Sequence, residues 1–547
     1  MPISNYPCDA DPESTLAIRI FYSYFIDPKT LDWKSFTMRA GFFTLNSTLR
    51  VILSDIDADS ETASRHLIVC IDETLLAVSE QPRSFIGLMT AIGAVLEAYP
   101  RVHMVLSSLS IELMTQGATN SGRAVVRLPM YPLSLESVEH LYDRCWNKQT
   151  MDQKTRFTNH QFMLDAAGSP RLLSFSSKLV TGNYQTLEKL RGRLESAEPL
   201  LKLTGKPEIP ELRNSLIQAL RGDLVMPERC EGGIQRGFLL MQLKGPVWMI
   251  PVIAPSIICC LEHIFRNDGG PIDPIAKRLL CMSSEFLSYD FHQKEYHGVF
   301  FEKQFQLLLR IRCLALCSPM QERETTQEEM NIIDKGLCTV SNKMPMRELI
   351  SGGMGTPPSV LIGSLFNKDL QVPALLETAE TDTPVLRAGT LWSPKSKTFA
   401  GIDGLLTLTD DKGSPVVFGL QYKWSATSED GNSVTSLSCN AIAEAIVKTC
   451  KYHHGMLSPF IREGRFGFIV AAYRTISCPS DGDYETVLKQ HINTQADRIW
   501  PGAGIELKEL IDLVANNICI LGKKDMQRIL TPTLERRPPF HLDASLS

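Results

Sequence analysis

Ala400-Gly401-Ile402-Asp403-Gly404-Leu405-Leu406 and Val417-Phe418-Gly419-Leu420-Gln421-Tyr422-Lys423-Trp424 are the two stretches on which the reading of this chain turns. Each has the apolar run of a buried strand, with polar groups where more hydrocarbon is expected. Their spacing is that of a β-hairpin, which brings Asp403, Gln421 and Lys423 to one edge. Gln421 and Lys423 stand two apart and share a strand face. The oxygens of Asp403 and Gln421 suit Mg²⁺ or Mn²⁺, hard cations that keep several waters. A lysine beside them steadies a hydroxide or the charge that develops on phosphorus. This is the minimal equipment for cutting a phosphodiester. The plain alternative is a strand pair with an aspartate in a turn and a snorkelling lysine.

Elements outward from this hairpin raise the first reading. A helix is expected over 298–316, strands over 386–392, 401–408 and 416–422, a helix over 441–456 and a last strand over 467–473. Helix, three strands, helix, strand is the order of restriction-endonuclease-like, PD-(D/E)XK, nucleases. In such a domain Asp403 is the bridging metal ligand, Gln421 the second, and Lys423 orients the nucleophilic water. Glu302 on the first helix completes the shell, with Glu377 and Glu380 as fallbacks. Gln421 stands where an acid is commoner, which removes one negative charge from the metal site; Mrr-like members of that superfamily use Gln-x-Lys. Glu444, Lys448, Lys451, Tyr452 and His453 flank the cleft, where lysines either contact phosphate or form a solvated face. The poorly patterned stretch before residue 386, with its acidic segment 321–329 and Ser351-Gly-Gly-Met-Gly-Thr-Pro-Pro358, reads as an insertion or mobile loop.

The N-terminal region, 1–178, reads as a parallel α/β domain. Strands are expected over 67–71, 102–106 and 124–128, and a helix over 84–99. Leu67-Ile-Val-Cys-Ile-Asp72-Glu73 has the form of a Walker B strand, buried on both faces, that carries two acids to the carboxyl end of the sheet. Asp72 then holds the Mg²⁺ of ATP through water and Glu73 activates the attacking water. Ser107 falls at the tip of a sensor strand. Arg171, in Gly168-Ser-Pro-Arg171, matches the Gly-x-Pro-Arg that opens a helix near the nucleotide in AAA-like ATPases. Arg123 is either a finger arginine or an exposed turn. No G-x-x-x-x-G-K-[ST] loop is present, so phosphate has no cradle. The expectation is a degenerate, P-loop-NTPase-like domain without ATP turnover, or a start upstream of Met1.

Composition sets the bounds. At 547 residues, several domains are expected. A net charge of −5 means that nucleic acid must be met by a local groove rather than by overall charge. The 14 cysteines show neither CxxC pairs nor zinc-finger spacing, which reads as a reducing compartment. No signal peptide is visible, and 248–265 reads as a buried strand and helix rather than a membrane span. Residues 179–290 read as a helical connector or a winged helix, with a hairpin over 237–252. Residues 291–530 hold the nuclease-like domain, and 531–547 read as a disordered tail.

An ATPase-like region joined to an Asp…Gln-x-Lys nuclease-like domain resembles the Crinkler effector and trypanosome retrotransposon-hot-spot superfamily. Further matches are Ile18-Arg19-Ile20-Phe21-Tyr22-Ser-Tyr24-Phe25-Ile26, Ser121-Gly122-Arg123 and Gly168-Ser-Pro-Arg171. The resemblance implies a nucleotide-binding domain that controls a DNA-cutting domain, and a nuclear setting that includes the nucleus of a host cell. Without the resemblance, the expectation is a cytoplasmic protein. DNA is the expected partner, with a protein partner or a second copy also open and no membrane. The alternative is a non-catalytic effector or regulator that binds DNA or protein through both domains.

Overall fold

The protein is seen here as a computed structural model. It describes residues 12–58, 65–71, 82–106, 209–226, 239–243, 248–267, 273–288, 297–320, 327–337, 339–352, 358–396, 401–423, 436–472, 475–476, 484–502, 504–531 and 533–534, with isolated positions between them. Residues 12–106 belong to one folded unit; 209–226 and 239–534 belong to a second.

The first unit begins with helices α1 (Pro12–Phe25), α2 (Trp33–Thr37) and α3 (Leu45–Ala58). Strand β1 (Leu67–Ile71), helix α4 (Pro82–Ala98) and strand β2 (Val102–Leu106) follow. The two strands pair in parallel, Leu67 opposite Val102, which requires a crossover, here carrying α4. Leu45, Leu49 and Leu53 recur at helical spacing on α3. They bury against Leu16 of α1, Leu88, Ile92 and Val95 of α4, and Ile71 and Val102 of the strands. The Ile18–Ile26 motif lies largely in α1. There Arg19 stacks over Trp33, 4.0 Å from the ring centroid, and the Tyr22 hydroxyl donates to the Leu31 carbonyl at 2.7 Å.

One expectation needs correcting. The run 67–71 is not covered on both faces by the described residues, since Ile71 is buried while Ile68 is 62% exposed. A wholly apolar run has no alternation to tell which face is packed. Asp72, Glu73, Ser107, Arg123, Arg171 and the third strand expected over 124–128 lie outside the described residues.

The second unit opens with α5 (Ile209–Arg221), the antiparallel hairpin β3 (Leu239–Leu243) and β4 (Met249–Ile253), then α6 (Pro255–Asn267) and α7 (Pro274–Ser288). The apolar stretch 248–265 thus becomes a strand and a helix, and no described helix is long and apolar enough to cross a membrane. Arg213 of α5 is buried with Asp273 at 3.0 Å, and Asp273 caps α7 by accepting the Ile275 and Ala276 amides at 2.9 and 3.0 Å.

Then come α8 (His297–Cys317), α9 (Gln327–Gly336), β5 (Ser341–Pro345), α10 (Met346–Ser351), β6 (Val360–Ile362), β7 (Asp369–Pro373), β8 (Glu377–Thr381) and β9 (Thr390–Pro394). Strands β10 (Gly404–Thr409), β11 (Pro415–Lys423) and β12 (Ser436–Leu437) lead to α11 (Cys439–Arg462). Strands β13 (Phe466–Ala472) and β14 (Thr475–Ile476), helices α12 (Tyr484–Ile499) and α13 (Ile505–Ala515), strand β15 (Ile518–Leu521) and helix α14 (Lys523–Ile529) complete the unit.

Nine of these strands make one mixed sheet in the order β5-β7-β10-β11-β13-β15-β6, with β9 also pairing β10 and β8 lying beside β9. Neighbours β9, β10 and β11 are antiparallel. Strands β11, β13 and β15 are parallel, with α11 carrying the first crossover and α12 and α13 the second. Every residue of β13 and β15 is buried, as parallel strands between two helical layers must be. Val417, Phe468, Val470 and Ile520 pack with Ile442, Ile446 and Val447 of α11 on one face. On the other face, α8 packs against β11 and β7. The architecture is mixed α/β.

Two further readings are corrected. Among the described residues the stretch before 386 holds α9, β5, α10, β6, β7 and β8, not a loop, while 321–326 and 353–357 lie outside the described residues. Those strands are short and, in β8, almost wholly exposed, so no hydrophobic period betrays them. The packed chain also runs past 531: Leu534 is fully buried, and Thr533 Oγ1 accepts the Ile253 amide at 3.1 Å.

Candidate functional site

Strand direction assembles the site. Because β10 and β11 are antiparallel, the start of β10 lies at the carboxyl end of β11, with Gly404 opposite Leu420. Asp403 therefore meets Gln421 across 18 residues of chain. The Asp403 amide donates to the Leu420 carbonyl at 3.0 Å. Its Oδ2 accepts the Tyr422 amide at 2.7 Å and also the Gln421 side-chain Nε2–H. Gln421 is only 6% exposed. This is also the carboxyl end of parallel β11 and β13, the usual place for ligands in α/β sheets.

A helix holds the Asp403 turn from one side. Gly401 has φ +91°, a left-handed conformation that favours glycine. A Cβ there would lie 3.0 Å from the Lys448 carbonyl oxygen of α11. The Thr449 hydroxyl donates to the Gly401 carbonyl, so the turn hangs on α11. Gly401→Ala is expected to cost about 1–3 kcal/mol through backbone strain, and the added methyl also presses the turn away from α11. The decrease in unfolding free energy by urea titration checks this; an unchanged midpoint would show that the turn does not depend on the close approach.

Burial decides the charges. Loss of solvent pushes the Asp403 carboxyl above the usual range, although the Tyr422 amide, the Lys423 charge and Gln421 all pull it down. Burial likewise pushes Lys423 below the usual lysine range. Asp403 opposes that shift, Lys448 adds to it and Glu444 opposes it. Asp403, Lys423, Glu444 and Lys448 thus form one electrostatic group. Glu444 pairs with Lys448 at 2.7 Å and with Arg498 at 3.2 Å, and the Lys448 hydrogen bond is the first cause of its lowered pKa.

Glu302 reaches the same strand from the opposite face. Gln421 and Lys423 face α11, whereas Tyr422 points to α8, where its ring meets Phe301 and Phe305 edge-on at 6.3 and 5.7 Å. Burial, then the charges of Glu302 and Asp403, raise the Tyr422 phenol well above its ordinary value. The remaining expected residues lie apart from this group. Glu377 pairs with Arg387 and Glu380 is exposed on β8. Lys451 donates to the Ile499 carbonyl at the end of α12, at 2.8 Å, and Tyr452 is exposed. Sequence reasoning missed Arg498 and Tyr422. Arg498 had no signal, being brought in by a helix–helix contact. Tyr422 had one: it sits between two site residues, so its own side chain must face the other layer.

Among the described residues, no three His, Cys, Asp or Glu side chains converge as metal ligands do. By residue type the pair suits a hard cation, since Asp403 brings a carboxylate into contact with the side-chain amide of Gln421. For the amide oxygen to serve, the Gln421 amide must turn over, because it now presents N–H to Asp403. Comparison of the chain with protein-family models, curated proteins and solved structures finds no match.

Proposed function

We propose that the second unit is a metal-dependent DNA endonuclease of the restriction-endonuclease-like kind, joined to a degenerate ATP-binding domain, as in the Crinkler and retrotransposon-hot-spot superfamily. The observation that carries this is the contact of the Asp403 carboxylate with Gln421, with the Lys423 charge beside it, at the carboxyl end of β11. The order of α8, antiparallel β9, β10 and β11, then α11 and parallel β13, supports it. So does the parallel strand pair in the first unit, for a nucleotide-binding ancestry. A nuclear setting belongs to the proposal through the resemblance alone.

In this reading Asp403 and, with its amide turned over, Gln421 would hold Mg²⁺ or Mn²⁺ together with water. When bound, the ion supplies Lewis-acid neutralisation of the phosphate oxygens. Lys423 orients the attacking water, and its lowered pKa eases the movement of a proton at Nζ. Tyr422 contributes its main-chain N–H, which fixes Asp403, while its ring anchors the helix that carries Glu302. Cleavage of a supercoiled plasmid with Mg²⁺ or Mn²⁺ tests the proposal through the variants described in the Discussion. A second reading, a non-catalytic DNA- or protein-binding effector, is favoured by one observation: Gln421 donates to Asp403 and adds no second carboxylate.

The two readings part at Gln421. Gln421→Glu is expected to lower the metal concentration for half-maximal cleavage about tenfold, equivalent to about 1.4 kcal/mol, because a charged oxygen replaces a neutral one. A titration of cleavage rate against Mn²⁺ checks this. If the variant needs as much metal as the wild type, position 421 is not a ligand.

A further inference from the structure

Asn440, Glu444 and Lys448 stand four apart and line one stripe of α11. Glu444 accepts from Lys448 at 2.7 Å and from Arg498 of α12 at 3.2 Å. Arg498 is fixed in turn: its Nε donates to Gln495 Oε1 at 2.8 Å, and buried Gln495 donates to Asn440. At the other end of the stripe, Lys423 feels both Lys448 and Glu444. Gly401, two residues before Asp403, rests on the Lys448 backbone. Three cations therefore follow one another along this stripe: Lys423 beside Asp403, then Lys448 and Arg498 with Glu444 between them. Set against Asp403 and Glu444, they leave one positive charge in excess.

The pairs on Glu444 are wet. Lys448 is 44% exposed and Arg498 59%, so each pair stabilises the protein by no more than about 0.2–1 kcal/mol. A phosphate group offers the same two cations a pair of anionic oxygens and stronger charge-assisted bonds. The surrounding network keeps Arg498 in place when Glu444 lets go.

We propose that Glu444 is a displaceable stand-in for a backbone phosphate of nucleic acid. In the free protein it holds Lys448 and Arg498 at the right spacing; on binding it yields them to a phosphate next to the one over Asp403 and Lys423. The negative overall charge fits this device, since a basic seat that fills itself with Glu444 attracts little else. The proposal rests on the nucleic-acid reading given above and assigns its strand-binding stripe.

The test is fluorescence anisotropy of a labelled DNA duplex titrated with the full chain in EDTA, over a series of salt concentrations. Lys448→Ala and Arg498→Ala are each expected to weaken binding and to reduce the log–log salt slope by about 0.9, the loss of one phosphate contact. Glu444→Gln, which keeps size and shape, is expected to tighten binding several-fold and to leave the slope in place. Circular dichroism confirms that each variant is folded. Binding that Glu444→Gln leaves unchanged or weakens overturns the proposal, as does a slope that Lys448→Ala does not alter. Failure of the wild type to bind overturns it too. EDTA silences cleavage, so the two readings separate. DNA bound as expected but never cut removes the nuclease and keeps the stripe; DNA cut only with Asp403 intact, and indifferent to Glu444→Gln, does the reverse.

Discussion

Asp403→Ala and Lys423→Ala are each expected to lower metal-dependent plasmid cleavage by about 10²- to 10⁴-fold. The Asp403 carboxylate is the only charged oxygen in contact with Gln421 among the described residues, so a cation there loses its main ligand when it goes. Lys423 is the cation on which Asp403, Lys448 and Glu444 all act. Its removal strips the water of its orienting group without touching the strand backbone. Alanine at 403 also leaves the Tyr422 amide and the Gln421 amide without their acceptor. Asp403→Asn, which keeps an oxygen for the Tyr422 amide, therefore belongs in the series. The measurement is initial rate of nicking with Mg²⁺ and with Mn²⁺, on protein purified identically. If wild type cuts no faster than these variants, nuclease activity is excluded and the non-catalytic reading stands.

The second large effect concerns stability, and its sign runs the other way. The buried Asp403 carboxyl has a raised pKa and the buried Lys423 amine a lowered one, so each charged form is less favourable in the fold than in the unfolded chain. For Asp403, the fold binds the proton more tightly than the unfolded chain does. Stability is then greatest below the ordinary carboxylate pKa and falls as pH rises through the raised one. Lys423 lies on the alkaline side, where stability returns as the amine loses its charge. At neutral pH both groups burden the fold. Replacing the pair by neutral groups of similar size, Asp403→Asn with Lys423→Met, is expected to stabilise the metal-free protein by about 1–4 kcal/mol. Mg²⁺ should stabilise the wild type alone. A saturating ion, near 100 times its Kd, adds about 2.7 kcal/mol to wild type and nothing to the double variant. Urea unfolding in EDTA and in Mg²⁺, at acid and neutral pH, reads both. A double variant less stable than wild type in EDTA would refute the burial argument; equal Mg²⁺ shifts would put the ion elsewhere.

The hairpin was legible because its strands are buried and its turn is short. The expected strands at 401–408 and 416–422 appear as Gly404–Thr409 and Pro415–Lys423. The expected helix at 441–456 appears as Cys439–Arg462, longer because its last turn accommodates Pro459. Strand β9 begins at Thr390, not near 386, since Gly389 takes a left-handed turn before it. Strand β15 went unseen although Ile518-Cys-Ile-Leu521 is an apolar run, for four residues cannot declare their period. The site was legible only where a pattern lies within one hairpin. Asp403 and Gln421 meet through local pairing, whereas Glu444, Arg498 and the Tyr422–Glu302 relation need helices packed on opposite faces. Spacing along a chain carries no record of those contacts.

The order of strands has a consequence for how the protein is made. Gly401 rests on α11, β11 pairs with β13, β13 with β15, and β15 with β6 from much earlier in the chain. A nascent chain that has just left the ribosome with Lys423 already carries Asp403, Gln421 and the lysine itself. It lacks the helix that seats the turn and the parallel neighbour that fixes β11. The trio is translated early and assembled late. A message cut short before β13 yields a fragment without the partner strand of β11, and only a chain that runs on through β15 holds the three side chains as they are seen here.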